Sequence, residues 1–241
     1  MQYLKMWRDL FEQVQIGPVI PCSQQEVRDW EEEIGQSLPM AYREFLLWMG
    51  NDSGRFLRGS YCLYRHRERL RLGTPGLMER YDFKRSLPSD AFVFWAHQGY
   101  QFLFFRLSDG QDPPINWFNG PETKSDFAWN TYPSFSKFLG REIIGHAQLM
   151  EQISGQKNGI REWVATDCPV HPREYDAEIQ GIRHLRSKLE AEQASLVSRK
   201  PYKFSAYCLD PICIACEAEI FRLHRDFPND EFKFIQKSSQ L

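Results

Sequence analysis

"IGQSLPMAYREFLLWMGNDSG", residues 34–54, is the stretch on which the fold turns. Gly35 suits the left-handed conformation that closes a preceding helix. Pro39 suits the first turn of the next helix, where its missing N–H would have been unpaired anyway. Tyr42, Phe45, Leu46 and Met49 then recur at i, i+3, i+4 and i+7 to make one apolar face, and Gly50 ends it. Arg43 and Glu44 lie off that stripe, whereas Trp48 widens it, so the helix is expected to be buried on more than one side.

Working outward, Ser23-Gln24-Gln25-Glu26 has the form of a capping box and opens a helix whose stripe is Val27, Trp30 and Ile34. Before it, Tyr3, Leu4, Trp7, Leu10, Phe11 and Val14 predict an amphipathic helix stopped by Gly17-Pro18. After the opening stretch, residues 55–73, "RFLRGSYCLYRHRERLRLG", hold six arginines against one glutamate. Their alternation suits an edge strand followed by a loop or short helix. "AFVFWA" (91–96) and "QFLFFRL" (101–107), joined across "HQGY", predict a β-hairpin, and "PINWFN" (114–119) a third strand. Ser134 is the expected N-cap of a helix with Phe135, Phe138, Leu139, Ile143 and Ile144 on its apolar face. The texture then changes. A polar helix at about 173–198, a strand or loop at 202–209, a helix at about 213–225 and a frayed tail at 237–241 are expected.

The chain of 241 residues can bury a core in one sizeable domain with an extension, or in two small ones. A formal charge of −2 gives no global field to recruit nucleic acid or an anionic membrane. No run approaches the ~18–20 apolar residues of a membrane span, and charges interrupt the N-terminal apolar spacing as they would not in a signal peptide. The expectation is a cytoplasmic protein with its six cysteines reduced.

In order, these elements resemble the SUKH superfamily, the Smi/Knr-like domain, from about Tyr3 to Gly145. The family pattern is an acidic-apolar helix, Gly-x-x-Leu-Pro, a Tyr-x-x-Phe-Leu helix ending in an Asn/Gly turn, an aromatic hairpin, a further strand and a Ser-Phe-x-x-Phe-Leu helix. Gly35, Leu38, Pro39, Tyr42, Phe45, Leu46, Gly50 and Asn51 match its first part, and "SFSKFLGREI" (134–143) its last. The resemblance implies an α+β fold over residues 1–145, a mostly antiparallel sheet packed by N-terminal and C-terminal helices. A mainly helical C-terminal extension, 146–241, falls outside it. It also implies a function that is not enzymatic and needs no cofactor. Many members look like immunity proteins that neutralise a toxin domain, and others like modules that bind a protein partner.

Two pairs at x₂ spacing, Cys168/His171 and Cys213/Cys216, could make a closed Cys₃His zinc site clamping the extension, the basis of an alternative reading as a zinc-stabilised module with a nucleic-acid or enzymatic role. Against it, Cys213, Cys216, Ile220 and Leu223 share one helical face, as buried thiols would. Six histidines are scattered, and no nucleophile elbow, HExxH or phosphate-cradling glycine loop is present. The Arg55–Arg71 cluster could grip phosphates with Tyr61 and Tyr64 stacking on bases, or be a solvated edge paired with Glu31, Glu32 and Glu33; the slightly negative net charge disfavours nucleic acid. His97, Tyr100 and Trp117 lie at or beside strand ends, where exposed rings would anchor a partner, although Trp117 suits packing against the extension slightly better. The charge of −2 does not point to a basic nuclease toxin as that partner.

Overall fold

The structure, a computed structural model, describes residues 1–123, 125–155, 177–194, 201, 203–208 and 214–236. Helix α1 (Lys5–Gln13) buries Trp7, Leu10 and Phe11. Helix α2 (Gln24–Ile34) starts in the expected capping box: the Ser23 hydroxyl accepts the Glu26 N–H at 3.1 Å, and the Glu26 carboxylate accepts the Ser23 N–H at 2.7 Å. Gly35 closes it at φ 68°. Pro39 stands one residue earlier than expected, as the extended N-cap of helix α3 (Met40–Met49). Gly50 ends α3 in ordinary right-handed geometry; it is glycine for space, because a Cβ would lie 2.5 Å from Cys22 Sγ.

Only Met40 of α3 is exposed, so the helix is embraced on all sides as its width of apolar residues predicts. Glu44, placed off the stripe by its spacing, is buried too. Its carboxylate accepts backbone N–H groups from Gln2, Tyr3 (3.0 Å) and Leu4 (2.9 Å). It thereby satisfies orphan donors at the start of α1, whose own N-cap residue offers no side chain.

Five antiparallel strands form one sheet in chain order: β1 (Ser60–Tyr61), β2 (Ala91–His97), β3 (Gln101–Arg106), β4 (Ile115–Asn119) and β5 (Ala128–Tyr132). The β2–β3 hairpin turns through Gln98 and Gly99, both left-handed. A shift in register between Val93 and Trp95 lets Phe94 and Trp95 both be buried. Edge strand β5 went unread because "AWNTY" is mostly exposed and carries no core alternation. One sheet face packs Phe92, Phe94, Leu103, Phe105 and Ile115 against α1, α2, α3 and helix α5 (Phe135–Ser154) in the main core. Phe102, Phe104 and Phe118, on the other face, form a second core with Leu77, Met78, Phe83 and Phe127.

That second face is roofed by α4 (Arg67–Arg80), a continuous helix of 14 residues where the sequence suggests a loop or short helix. Gly73, Pro75 and Gly76 all disfavour it, yet burial of Leu70, Thr74, Leu77 and Met78 on the sheet outweighs them. The fold is α+β.

The extension contains α6 (Ala177–Ala194), β6 (Lys203–Cys208), α7 (Ile214–Asp226) and β7 (Glu231–Gln236), with β6 and β7 paired in parallel. It is therefore not helical throughout: β7 was not anticipated, and the tail 237–241 lies outside the described residues. Ile182, Leu185, Leu189, Leu223, Phe227 and Phe232 give it a small core. Glu217 of α7 ties it to the main domain through Arg55 (2.6 Å) and Arg58 (3.5 Å). Among the described residues no helix is long and apolar enough to cross a membrane.

Candidate protein-binding surface

The β2–β3 turn has a buried polar cluster on one side and an open groove on the other. The three partner-binding candidates belong to the first. His97 is 0% exposed; its Nδ1 lies 2.9 Å from Ser60 Oγ and its ring stacks on Trp95 with centroids 5.5 Å apart. Gln101 links the other two: its Nε2 donates to the Tyr100 hydroxyl at 2.7 Å, and Trp117 Nε1 donates to its Oε1 at 3.2 Å. The structure thus brings His97, Tyr100 and Trp117 together, but His97 and Tyr100 are buried rather than exposed, and Trp117 is partly buried against the main core. The cause is register. His97 pairs with Gln101, and Gln101 with Asn119, so polar side chains stack at the end of three adjacent strands; His97 and Gln101 find partners there, whereas the Asn119 side-chain amide has none among the described residues.

Across the turn, Arg69, Leu72, Gly73, Gly76 and Arg80 follow i, i+3, i+4, i+7 and i+11 along the exposed face of α4. Together with Tyr61, Ala96 and the turn itself they bound a groove of about 490 Å³. Leu72 is 67% exposed. The Arg69 guanidinium lies over the Tyr61 ring, 4.0 Å from its centroid, and Arg80 Nη1 donates to the Gly99 carbonyl at 3.3 Å. Neither makes an ion pair among the described residues.

Of the other arginines in the cluster, Arg71 is exposed and makes no ion pair among the described residues, while the rest are engaged. Arg67 meets Glu33 at 3.4 Å, Arg55 and Arg58 share Glu217, and Arg65 donates to the Asn51 carbonyl at 3.0 Å. Pairing with the acidic run of α2 therefore holds for Glu33, whereas Glu31 takes Arg43 of α3 instead. At the head of α4, His66 Nδ1 accepts the N–H groups of Cys62 and Leu63, each at 3.2 Å. Burial, with Arg65 and Arg69 beside it, lowers the His66 pKa to about 4, so the ring is neutral at pH 7 and can accept both bonds. Two guanidinium groups without a carboxylate partner among the described residues, flanking an apolar strip, can hold carboxylates and an aliphatic side chain at once. The arginines stand out in the sequence but the groove does not, because Gly73, Pro75 and Gly76 argue against a helix there.

For the zinc alternative, Cys168, His171 and Cys213 lie outside the described residues. Cys216 is buried in α7. Among the described residues no group of three or more His, Cys, Asp or Glu side chains is set to hold a metal ion.

A family model described as SMI1 / KNR4 family (SUKH-1) matches residues 21–141, about half of the chain, running from just before α2 into the second turn of α5. Comparison with curated proteins gives no match.

Proposed function

The chain belongs to the SMI1 / KNR4 family (SUKH-1), and from that premise we propose a non-catalytic, cytoplasmic protein-binding domain of the immunity type, which covers and blocks a toxin domain or a comparable protein partner. The observation that carries this reading is the exposed face of α4, where Arg69, Leu72 and Arg80 stand unburied beside a groove. Arginine and tyrosine are enriched at interface hot spots, and Arg69 stands over the Tyr61 ring at the edge of the groove. The histidines His66 and His146 support it from another direction. Burial pushes each to a pKa of about 4, far from the neutral range in which a general base works best, and both rings serve packing or backbone bonding.

Cloning the open reading frames that flank the gene tests the proposal. One product is expected to arrest growth when expressed alone, to be tolerated when this chain is co-expressed, and to copurify with it at a fixed ratio. If no flanking product is both bound and neutralised, the immunity reading fails.

A further inference from the structure

Helix α4 carries residues that its own fold does not require. A Cβ added to Gly73 or Gly76 would meet nothing within 4 Å, and neither residue has the positive φ that favours glycine. Each glycine weakens a helix interior relative to alanine, and Pro75 between them removes a backbone donor as well. What the two glycines provide is clearance: a second chain can approach the helix backbone along this strip. Arg69 and Arg80 close the strip at either end, eleven residues and so about 16 Å apart along the helix axis. Exposed Leu72 stands between them, and the groove has no acidic residue in its lining.

We infer that this groove receives an acidic segment of a protein partner, with two carboxylates about 16 Å apart on Arg69 and Arg80 and an apolar side chain between them on Leu72. A phosphate backbone would ask for a continuous track of cations. Here the middle of the strip is leucine and glycine, Arg67 is paired with Glu33, and neither Arg65 nor Arg71 lines the groove. The inference rests on the protein-binding reading above for the class of partner, and its sign is opposite to that of a surface built for a basic nuclease.

The probe is a helical peptide of about fourteen residues with two glutamates eleven positions apart and a leucine on the same face, four positions from one of them, added to the isotope-labelled full chain and followed by NMR. Amide shifts are expected to be confined to the groove, at residues 61, 69–80, 96–99 and 102. Arg69→Glu with Arg80→Glu is expected to weaken binding at least tenfold. Gly73→Ala with Gly76→Ala is expected to raise the melting temperature while weakening binding several-fold, a combination that misfolding cannot produce. The idea is overturned by shifts elsewhere or none, by tighter binding of a dT₁₂ oligonucleotide or of the peptide with lysines in place of both glutamates, or by unchanged binding in the double alanine variant. A neutralised toxin that still binds the Arg69→Glu, Arg80→Glu protein sinks the groove alone; peptide binding at α4 with no toxin neutralised sinks the immunity reading alone.

Discussion

Helices α3 and α4 pack on opposite faces of the same sheet, and they differ in what their residues are for. In α3, Tyr42 alone contacts the rings of Trp30, Phe45, Phe92, Phe94, Phe105 and Phe135, and even Glu44 is turned inward to hold α1. In α4 the buried set is Leu70, Thr74, Leu77 and Met78, and one exposed flank, next to the equally exposed Glu68, Arg71, Pro75 and Glu79, carries a leucine, two glycines and two arginines in the open. The first helix is accounted for by the fold. The second keeps a remainder that folding does not explain, and the candidate surface is built from that remainder.

The sharpest break of this contrast is truncation. Tyr42→Ala is expected to cost about 3–5 kcal/mol of stability, the range for deleting a fully buried aromatic ring, measured by urea unfolding. The Tyr42 hydroxyl has no hydrogen-bond partner among the described residues, and burial pushes its pKa well above the ordinary phenol range. Tyr42→Phe is accordingly expected to be neutral or slightly stabilising. Leu72→Ala on α4 is expected to cost less than about 0.5 kcal/mol, as for an exposed position. Comparable losses for Tyr42→Ala and Leu72→Ala would erase the distinction between the helices.

On the α3 side of the sheet, His146 of α5 makes the core sensitive to pH. It is 3% exposed, sits edge-on to Phe56 at 5.8 Å, and its pKa is lowered to about 4, first by burial and second by Arg55. The unfolded chain holds the proton from near pH 6.5 downward while the folded chain refuses it until near pH 4. Stability is therefore full above pH 6.5 and falls between 6.5 and 4, by roughly 3 kcal/mol from this residue. His146→Phe is expected to remove about half of that slope, the other half belonging to His66, which is lowered to about 4 as well; an unchanged slope would place the dependence elsewhere.

Next in size is the carboxylate joining α3 to α1. Glu44→Ala removes the acceptor of three backbone N–H groups and is expected to cost about 1–3 kcal/mol, with faster amide exchange at Tyr3 and Leu4. Exchange that spreads evenly over the domain would show that Glu44 is not a local cap.

Those effects trace what could be read in advance. Periodicity, the Ser23 capping box and the Gly35 stop marked α1, α2, α3 and α5, since each bears an apolar stripe with explicit ends. The aromatic hairpin was equally legible. Residues whose neighbours are distant in sequence were not. Glu44 looks solvent-facing until Leu4 is seen beside it, and His97 looks exposed at a strand end until Ser60 of β1 arrives as its partner. β5 lacks internal alternation strong enough to announce a strand, β7 does alternate Phe232 and Phe234 with Glu231 and Lys233 but its parallel partner β6 is distant in sequence, and α4 was hidden by its own breakers. The candidate groove was thus half visible: its arginines stand out by composition, while its shape depends on a helix that local propensity argues against.

Those breakers supply a small but discriminating effect. If Gly73 and Gly76 were needed by the fold, alanine there would clash or strain the backbone and stability would fall. Both lie within α4 without a positive φ, and a Cβ at either would reach open space. Each alanine is therefore expected to add about 0.5–1 kcal/mol by restricting the unfolded chain and favouring the helix. The two should be close to additive because neither touches a neighbour. Urea unfolding of the single and double variants measures this directly. A gain leaves the glycines without a folding role and strengthens the case that they keep room for another chain, whereas a loss would mean that α4 is held by contacts on its outer face and belongs with α3 after all.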